Sequence, residues 1–360
     1  MDVFKLRDDL IGSYRRYAES FMQIQDHRIS EHVKGALDEG RLWPYPQIGL
    51  NPAFRSGGTI DDLVEAGDLH PECSRIFRVG KNEREAIGQP MTLHTHQVEA
   101  IRTARQGNNY VLTTGTGSGK SLGYIVPIVD HVLRTGSGSG VKAVVVYPMN
   151  ALANSQEEEL KKFLRHGPWG ATPPVTFGKY TGQEDDETRQ GILNKPPDII
   201  LTNYVMLELI LTRYRDRRLV RQFSNVHFLV LDELHTYRGR QGADVALLIR
   251  RMTLPPQALL IRRMRHASGS PALRCVGTSA TMSSEGSVDE RRARVSQVAS
   301  RLFGSEVRPD DVIGETLERA TEDVDFTDPT FRSTLTTRVQ DGRATSQTYA
   351  EFVSDPLSAW

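Results

Sequence analysis

The sequence contains little cysteine, no excess of charge of either sign and no long hydrophobic run. Only two of its 360 residues are cysteines, Cys73 and Cys275, and two thiols cannot build a disulfide framework or a four-ligand zinc site. Lysine plus arginine and aspartate plus glutamate both number 45, so any surface for nucleic acid must be local. No stretch approaches about 18 consecutive apolar residues, and the charged N-terminus lacks the apolar core of a signal peptide. We therefore expect a cytoplasmic protein.

The chain is long enough for one large domain or two modest ones, and its pattern changes near residue 91. Residues 1–90 contain an amphipathic helical pattern and then Gly- and Pro-rich sequence, which predicts an accessory segment. Residues 91–305 alternate short β-branched runs with helical stretches, a pattern typical of a parallel sheet covered by helices. Residues 306–360 are acidic and Thr-rich with weak periodicity, and we expect an irregular extension there.

Five runs in the middle region predict strands, and several are continuously apolar, as expected for strands that are buried on both faces. They are Tyr110–Thr113, Lys142–Tyr147, Asp198–Thr202, His227–Asp232 and Leu273–Thr278. The turn TGSGSG at 135–140 has the composition of a phosphate-binding loop, but a strand and not a helix follows it, so we interpret it as a connection. The predicted fold class is α/β, with a parallel sheet flanked by helices.

A glycine-rich loop, TGTGSGKS, connects the strand at 110–113 to a helical stretch at 121–133. In this context glycines let backbone N–H groups converge on phosphate oxygens, and the helix N-terminus adds the positive end of its dipole. We expect Lys120 to reach the β- and γ-phosphates and the Ser121 hydroxyl to bind magnesium. The residues expected to hold a nucleotide are Thr114, Gly115, Thr116, Gly117, Ser118, Gly119, Lys120 and Ser121. The strict GxxxxGK[ST] pattern has glycine where this chain has Thr114.

Two acids, Asp232 and Glu233, follow the apolar run FLVL. A magnesium ion that bridges two phosphates needs a carboxylate held opposite the loop, and Asp232 can supply it. Glu233 would then accept a proton from the attacking water. Paired acids after a strand are also common in solvated turns, and the phosphate loop favours the catalytic interpretation.

These motifs, in this order, resemble the DEAD/DEAH-type superfamily 2 helicases over residues 91–285. The resemblance implies a RecA-like, ATP-binding motor domain that hydrolyses ATP with Mg²⁺ and moves on nucleic acid. LHTHQVEAI resembles the Q motif, which implies that Gln97 reads the adenine. The flanking motifs look most like those of large bacterial helicases with a C-terminal accessory region, linked to phage defence or DNA repair. That similarity favours DNA over RNA.

The same resemblance implies contacts to nucleic acid. YPMNALANSQ resembles motif Ia, LTNYVMLELIL motif Ib, DELH motif II and GTSATM motif III. They imply contact or coupling roles, independent of base sequence, for Pro148, Asn150, Ala151, Thr202, Asn203, His235, Ser279 and Thr281. Asn150 could also simply cap a helix. Motif II has Leu234 where the family more often has alanine, which implies different packing at that position.

Basic clusters at 213–221, 249–251 and 261–266 add local positive charge. Each cluster is more typical of a solvated helix face than of a nucleic-acid contact.

A helicase motor also needs a second RecA-like domain, whose arginines reach the γ-phosphate. Roughly 80 residues follow motif III, too few for such a domain, so we expect it to be absent here and supplied in cis or in trans. The isolated chain would then hydrolyse ATP slowly. The alternatives are a nucleotide- or partner-binding module without turnover, and a phosphate-loop ATPase outside the helicases, which the motif order disfavours.

Overall fold

The computed structural model divides the chain into two units, residues 1–52 and 53–360. It describes residues 3–21, 24–39, 53–82, 85, 87–115, 117–164, 167, 169, 172–236, 273–280, 287–321, 324–342 and 348–360. None of the described helices is long and apolar enough to cross a membrane.

The described residues of the first unit form two helices, α1 (Val3–Ser20) and α2 (His27–Asp38). The predicted N-terminal helix is therefore confirmed. Asp26 caps α2, because its carboxylate accepts hydrogen bonds from two backbone N–H groups of the first turn. The Arg15 guanidinium donates to Glu19, one turn away on α1, and to Asp38 on α2.

The second unit is an α/β domain. Its described helices are α3 (Ile60–Glu65), α4 (Cys73–Ile76), α5 (Thr95–Arg105), α6 (Leu122–Thr135), α7 (Asn150–Leu164), α8 (Asp186–Asn194), α9 (Tyr204–Thr212), α10 (Arg217–Gln222), α11 (Val288–Phe303), α12 (Pro329–Gln340), α13 (Tyr349–Ser354) and α14 (Pro356–Ala359). Its described strands are β1 (Ser56–Thr59), β2 (Arg78–Val79), β3 (Gln89–Pro90), β4 (Thr92–His94), β5 (Tyr110–Thr113), β6 (Ala143–Tyr147), β7 (Phe177–Lys179), β8 (Ile199–Asn203), β9 (Phe228–Leu231), β10 (Arg274–Ser279) and β11 (Val312–Gly314).

A parallel sheet of seven strands forms the centre of this unit, in the order β11-β5-β10-β9-β6-β8-β7. The five predicted strands are all present, with ends shifted by about one residue. Successive residues of β6 and β9 are buried and divide between two apolar clusters, so each strand is covered on both faces. The carboxyl ends of all seven strands meet at one edge of the sheet, where ligands of open α/β sheets bind.

The boundaries of the sheet domain differ from those predicted. Residues 53–90 are not a separate accessory segment, because β1 pairs with β4 and the side chains of Ile60, Cys73 and Phe77 are buried in the same apolar cluster as β5 and β6. The sequence before residue 53 is rich in glycine and proline, so composition alone does not reveal this boundary.

The prediction of an irregular extension from residue 306 is also wrong. β11 adds an edge strand beside β5 and buries Val312 and Ile313, and α12 begins at Pro329 after the cap residue Asp328. A strand of three residues is too short to show a periodicity of two, and α12 is rich in threonine with little amphipathic pattern.

The turn at 135–140 is confirmed as a connection between α6 and β6. Gly136, Gly138 and Gly140 all have positive φ, which glycine adopts without steric cost. The buried Asp198 carboxylate fixes this turn by accepting hydrogen bonds from the Ser137 hydroxyl and the Gly138 N–H.

Candidate functional site

The loop after β5 lies at the carboxyl edge of the sheet and leads into α6. Thr114 and Ser118 are buried, and their hydroxyl groups lie 2.6 Å apart across the loop. This hydrogen bond explains why threonine can stand where the strict pattern has glycine, because its side chain closes the loop upon itself. Gly117 and Gly119 have φ of 82° and 68°, a conformation that favours glycine. Thr116 lies outside the described residues.

Lys120 remains within the loop. Its Nζ donates to the carbonyl oxygen of Thr114 at 2.9 Å and lies 3.4 Å from that of Gly115. The ammonium group therefore sits inside the curve of the loop, where a phosphate would be bound. Ser121 directly precedes α6, and its side chain makes no capping hydrogen bond to that helix. Its hydroxyl is consequently not engaged as a cap.

Gln97 lies at the start of α5, and its side-chain amide is fully engaged with the protein. Its Nε2 donates to the carbonyl oxygens of Ser118 and Gly119, and its Oε1 accepts from the His94 N–H. The residue is buried, and a Cβ added at Gly119 would lie 2.6 Å from Nε2. Gln97 therefore supports the loop directly, and adenine recognition by Gln97 stays a prediction.

His96 supports the same loop, although the sequence motifs did not predict a role for it. Its buried Nε2 lies 2.9 Å from the carbonyl oxygen of Ser118. Burial lowers the pKa of His96, so the ring is neutral at pH 7 and Nε2 carries the donated proton. The ring of Phe54 packs near His94 and His96, with centroids 5.2 and 5.7 Å away. The rings of Phe54, His94 and His96 thus lie together beside the loop, at the Q motif.

Asp232 and Glu233 follow β9, which is separated from β5 by β10 alone. Burial raises the pKa of Asp232, while a hydrogen bond from Thr278 and the charge of Lys120 lower it. Because β5, β10 and β9 are parallel neighbours, the loop after β5 and the acids after β9 lie at the same edge of the sheet. The two halves of the predicted site are therefore brought together.

Glu233 has an unusual backbone and an unsatisfied side chain. Within the described ranges it is the one residue other than glycine with positive φ, at 55°, a conformation that costs roughly 1–2 kcal/mol for an L-residue. Its Oε2 is buried and makes no hydrogen bond to the described residues, although His235 Nδ1 lies 3.2 Å away. Within the described residues this carboxylate oxygen makes no hydrogen bond and has an ion-pair neighbour only in His235.

Motif III meets motif II through side chains. The Ser279 hydroxyl lies 3.3 Å from His235 Nδ1, and the coupling role of the two residues stays a prediction. Leu234 fits at the third motif II position because a Cβ at Gly277 would lie 2.3 Å from its Cδ1. The glycine of β10 thus makes room for the leucine that departs from the common family pattern. Thr281 lies outside the described residues.

The residues predicted to contact nucleic acid fall into two groups. Asn203 Nδ2 donates to Asn150 Oδ1 at 2.6 Å, so motifs Ia and Ib are joined at the sheet edge where α7 begins. Pro148 is partly exposed and Ala151 exposed at the same edge. Thr202 is different, because its buried hydroxyl donates to the Tyr180 carbonyl oxygen. Its side chain therefore has a structural role, and any contact of Thr202 with nucleic acid stays a prediction.

Of the basic clusters, 213–221 is described and contains exposed arginines on α10 and the turn before it. The clusters at 249–251 and 261–266 lie outside the described residues.

Glu315 is a further residue of the site that no motif pointed to. Its Oε2 accepts a hydrogen bond from the Gly115 N–H at 2.7 Å. Gly314 pairs with Thr113 in the sheet, and Thr316 accepts a backbone hydrogen bond from Arg55. The backbone on both sides of Glu315 is therefore fixed, and its side chain is presented to the loop.

The sequence model of the DEAD/DEAH box helicase family matches residues 94–288, more than half of the chain. The chain belongs to this family. The DEAD/DEAH match begins at His94, the N-terminal neighbour of the loop-supporting helix α5, and ends just after motif III.

Individual relatives agree with the family. The chain is 25% identical to the Druantia protein DruE of Escherichia coli over 389 aligned positions, which cover 76% of this chain and 20% of DruE. It is 31% identical to the ATP-dependent helicase hrq1 of Schizosaccharomyces pombe over 189 positions, 52% of this chain and 16% of hrq1. The DEAD/DEAH domain described here thus spans a fifth or less of these relatives.

A solved structure shows the same fold. The crystal structure of the DUF1998 helicase MrfA bound to DNA superposes with a TM-score of 0.52 and 22% sequence identity, covering 74% of this chain and 31% of MrfA. The RecA-like helicase fold is therefore established for the sheet domain.

Proposed function

We propose that this chain is the ATP-binding half of an ATP-dependent DNA helicase or translocase, which hydrolyses ATP with Mg²⁺ when it is bound to nucleic acid. The observation that supports this most directly is that the Lys120 loop, Asp232 and Glu233 lie at the same edge of the sheet, after β5 and β9 with β10 alone between them. The named relatives, an ATP-dependent helicase and a helicase bound to DNA, point to the same activity.

The residues present fit a magnesium nucleotide. The hydroxyl of Ser121 and the carboxylate of Asp232 are hard oxygen donors, the type that Mg²⁺ prefers. Nothing lies within 4 Å of a Cβ position at Gly117, so the loop has open space on that side. Bound there, Mg²⁺ would neutralise charge that develops on the phosphates.

In the proposed reaction the protein's own groups have separate tasks. Lys120 and the loop N–H groups hold the phosphates, and Ser121 and Asp232 hold the metal. Glu233 Oε2 accepts the proton of the attacking water, since it makes no hydrogen bond to the described residues and has His235 Nδ1 3.2 Å away. His235 and Ser279, which lie 3.3 Å apart, would couple these acids to the nucleic-acid contacts of Asn150 and Asn203, which are hydrogen-bonded to each other.

We propose single-stranded DNA, contacted through phosphate and sugar, as the partner at that edge. A second RecA-like domain, in cis or in trans, would supply the arginines that reach the γ-phosphate. We keep the cytoplasm as the proposed location, where both buried cysteines would remain thiols.

Hydrolysis assays with and without nucleic acid test the proposed function. For these 360 residues alone we expect slow, Mg²⁺-dependent ATP hydrolysis that single-stranded DNA stimulates more than RNA, without unwinding, because the arginine proposed to come from a second domain contributes about 10³–10⁵ in rate in related nucleotide hydrolases. Nucleotide binding without any hydrolysis would instead identify a binding module. Robust unwinding by the 360-residue chain would contradict the need for a second domain.

Replacing Glu315 should weaken nucleotide binding through the loop. In Glu315→Ala the Gly115 N–H loses its charged acceptor, and we expect affinity for a fluorescent ATP analogue to fall about three- to tenfold. Glu315→Gln keeps an acceptor oxygen and should bind nearly as the wild type does. Tighter binding by both variants would show that the carboxylate opposes the phosphates by its charge.

A further inference from the structure

The hydroxyl group of Thr278 touches both acids of motif II. Thr278 Oγ1 donates to Asp232 Oδ1 and accepts a hydrogen bond from the Glu233 N–H at 3.1 Å. A threonine hydroxyl has one proton to donate, and that proton is directed at Asp232. The lone pairs are then left for Glu233, so one oxygen atom fixes the positions of two acids.

The sheet register explains why Thr278 occupies this place. Gly277 of β10 pairs with Leu231, the last residue of β9. The residues that follow these two along the chain, Thr278 and Asp232, therefore lie side by side. Thr278 is completely buried, which excludes water as a competing partner for its hydroxyl.

The backbone at Glu233 depends on this contact. Glu233 is in the left-handed region, and its N–H therefore does not continue the strand ladder of β9. Its carbonyl oxygen is held by the N–H and the hydroxyl of Thr236. Thr278 accepts a hydrogen bond from the N–H of Glu233. Together these hydrogen bonds stabilise a backbone conformation that glutamate would not otherwise keep.

We propose that Thr278 is a positioning residue for hydrolysis: its hydroxyl holds Asp232 and the strained Glu233 in the geometry that binds Mg²⁺ and activates water. The inference rests on the proposed function, because it assigns a task within that same site. Thr278 touches neither substrate nor metal in this role, and it acts through the two acids.

Thr278→Val and Thr278→Ser separate the hydroxyl from the methyl group. Valine keeps the shape and removes both hydrogen bonds, whereas serine keeps the hydroxyl and removes only the methyl group. We expect kcat of Thr278→Val to fall about ten- to hundredfold, and KM for the magnesium nucleotide to rise by only about severalfold, since the phosphate loop is untouched and only the Mg²⁺-dependent part of binding is weakened. Thr278→Ser should stay within about threefold of the wild type.

A binding readout makes the test independent of turnover. We expect Mg²⁺ to strengthen binding of a fluorescent ATP analogue in the wild type and in Thr278→Ser, and to do so several-fold less in Thr278→Val. Binding without Mg²⁺ should be equal in all three and reports an intact fold. If Thr278→Val fails that control, Thr278→Ala carries the same expectation without a packing change from a branched side chain.

The outcomes distinguish the inference from the function on which it rests. Equal kcat and equal Mg²⁺ enhancement in wild type and Thr278→Val would overturn the role of Thr278. An equal loss in Thr278→Ser would also overturn it, because packing of the methyl group would then be responsible. A wild-type chain that binds the magnesium nucleotide without hydrolysing it would refute the proposed function, and the Mg²⁺ enhancement would still decide the role of Thr278.

Discussion

A Glu233→Gln chain should bind ATP with Mg²⁺ as the wild type does and hydrolyse it about 10²- to 10⁴-fold more slowly. Glutamine has the shape of glutamate but cannot take a proton from water at neutral pH. The Glu233 N–H and carbonyl contacts that hold the backbone come from Thr278 and Thr236, and a side-chain change leaves them in place. Single-turnover phosphate release measures the rate, and titration with a fluorescent ATP analogue measures the affinity.

The matched control is Glu65→Gln, which removes the same charge at the exposed end of α3. It should hydrolyse ATP at the wild-type rate. Hydrolysis by Glu233→Gln within about threefold of the wild type would exclude Glu233 as the base. A large loss of nucleotide affinity in Glu233→Gln would show instead that the residue holds the nucleotide.

The strands and the two halves of the site could be predicted because their signals are local. β6 and β9 are runs of apolar residues in the sequence, and such runs persist in a strand that is buried on both faces. A strand precedes the phosphate loop and a helix follows it, and both are visible in the local sequence. Lys120 and Ser121 can therefore be predicted without knowledge of the sheet order.

The supporting residues could not be predicted because they depend on strand register. Thr278 reaches Asp232 only because β10 lies beside β9 with Gly277 opposite Leu231. Glu315 reaches Gly115 across 200 residues of chain, because β11 pairs with β5. Neither strand pairing can be predicted from the local sequence, because one polar residue after a strand is also common in solvated turns.

Burial decided two other assignments. Thr202 and Asn203 are adjacent in the motif Ib segment, and sequence alone treats them as equivalent contacts. Alternation along β8 turns the Thr202 side chain into the sheet domain, while Asn203 stands at the strand end, where it caps α9 and bonds to Asn150. The leucine at position 234, where the family more often has alanine, is likewise explained only by the structure, which places Gly277 opposite it.

Lys120→Ala is expected to remove nucleotide binding itself. The Lys120 ammonium group lies inside the loop and is the charged group that the motif directs at the phosphates. A charge-assisted hydrogen bond contributes about 1.5–3 kcal/mol, so affinity for the ATP analogue should fall roughly ten- to hundredfold, with hydrolysis reduced at least as much. Lys120→Arg should also bind poorly, because the planar guanidinium does not fit a site shaped for a compact ammonium.

Nucleotide affinity and thermal stability must both be measured to interpret Lys120→Ala. Nζ also donates to the Thr114 carbonyl oxygen, so the alanine variant could lose binding by loosening the loop. A thermal melting temperature equal to that of the wild type, measured without nucleotide, would assign the loss to the missing charge. Lys195→Ala, which removes an exposed lysine at the end of α8, should bind as the wild type does. Wild-type affinity in Lys120→Ala would exclude this loop as the phosphate site.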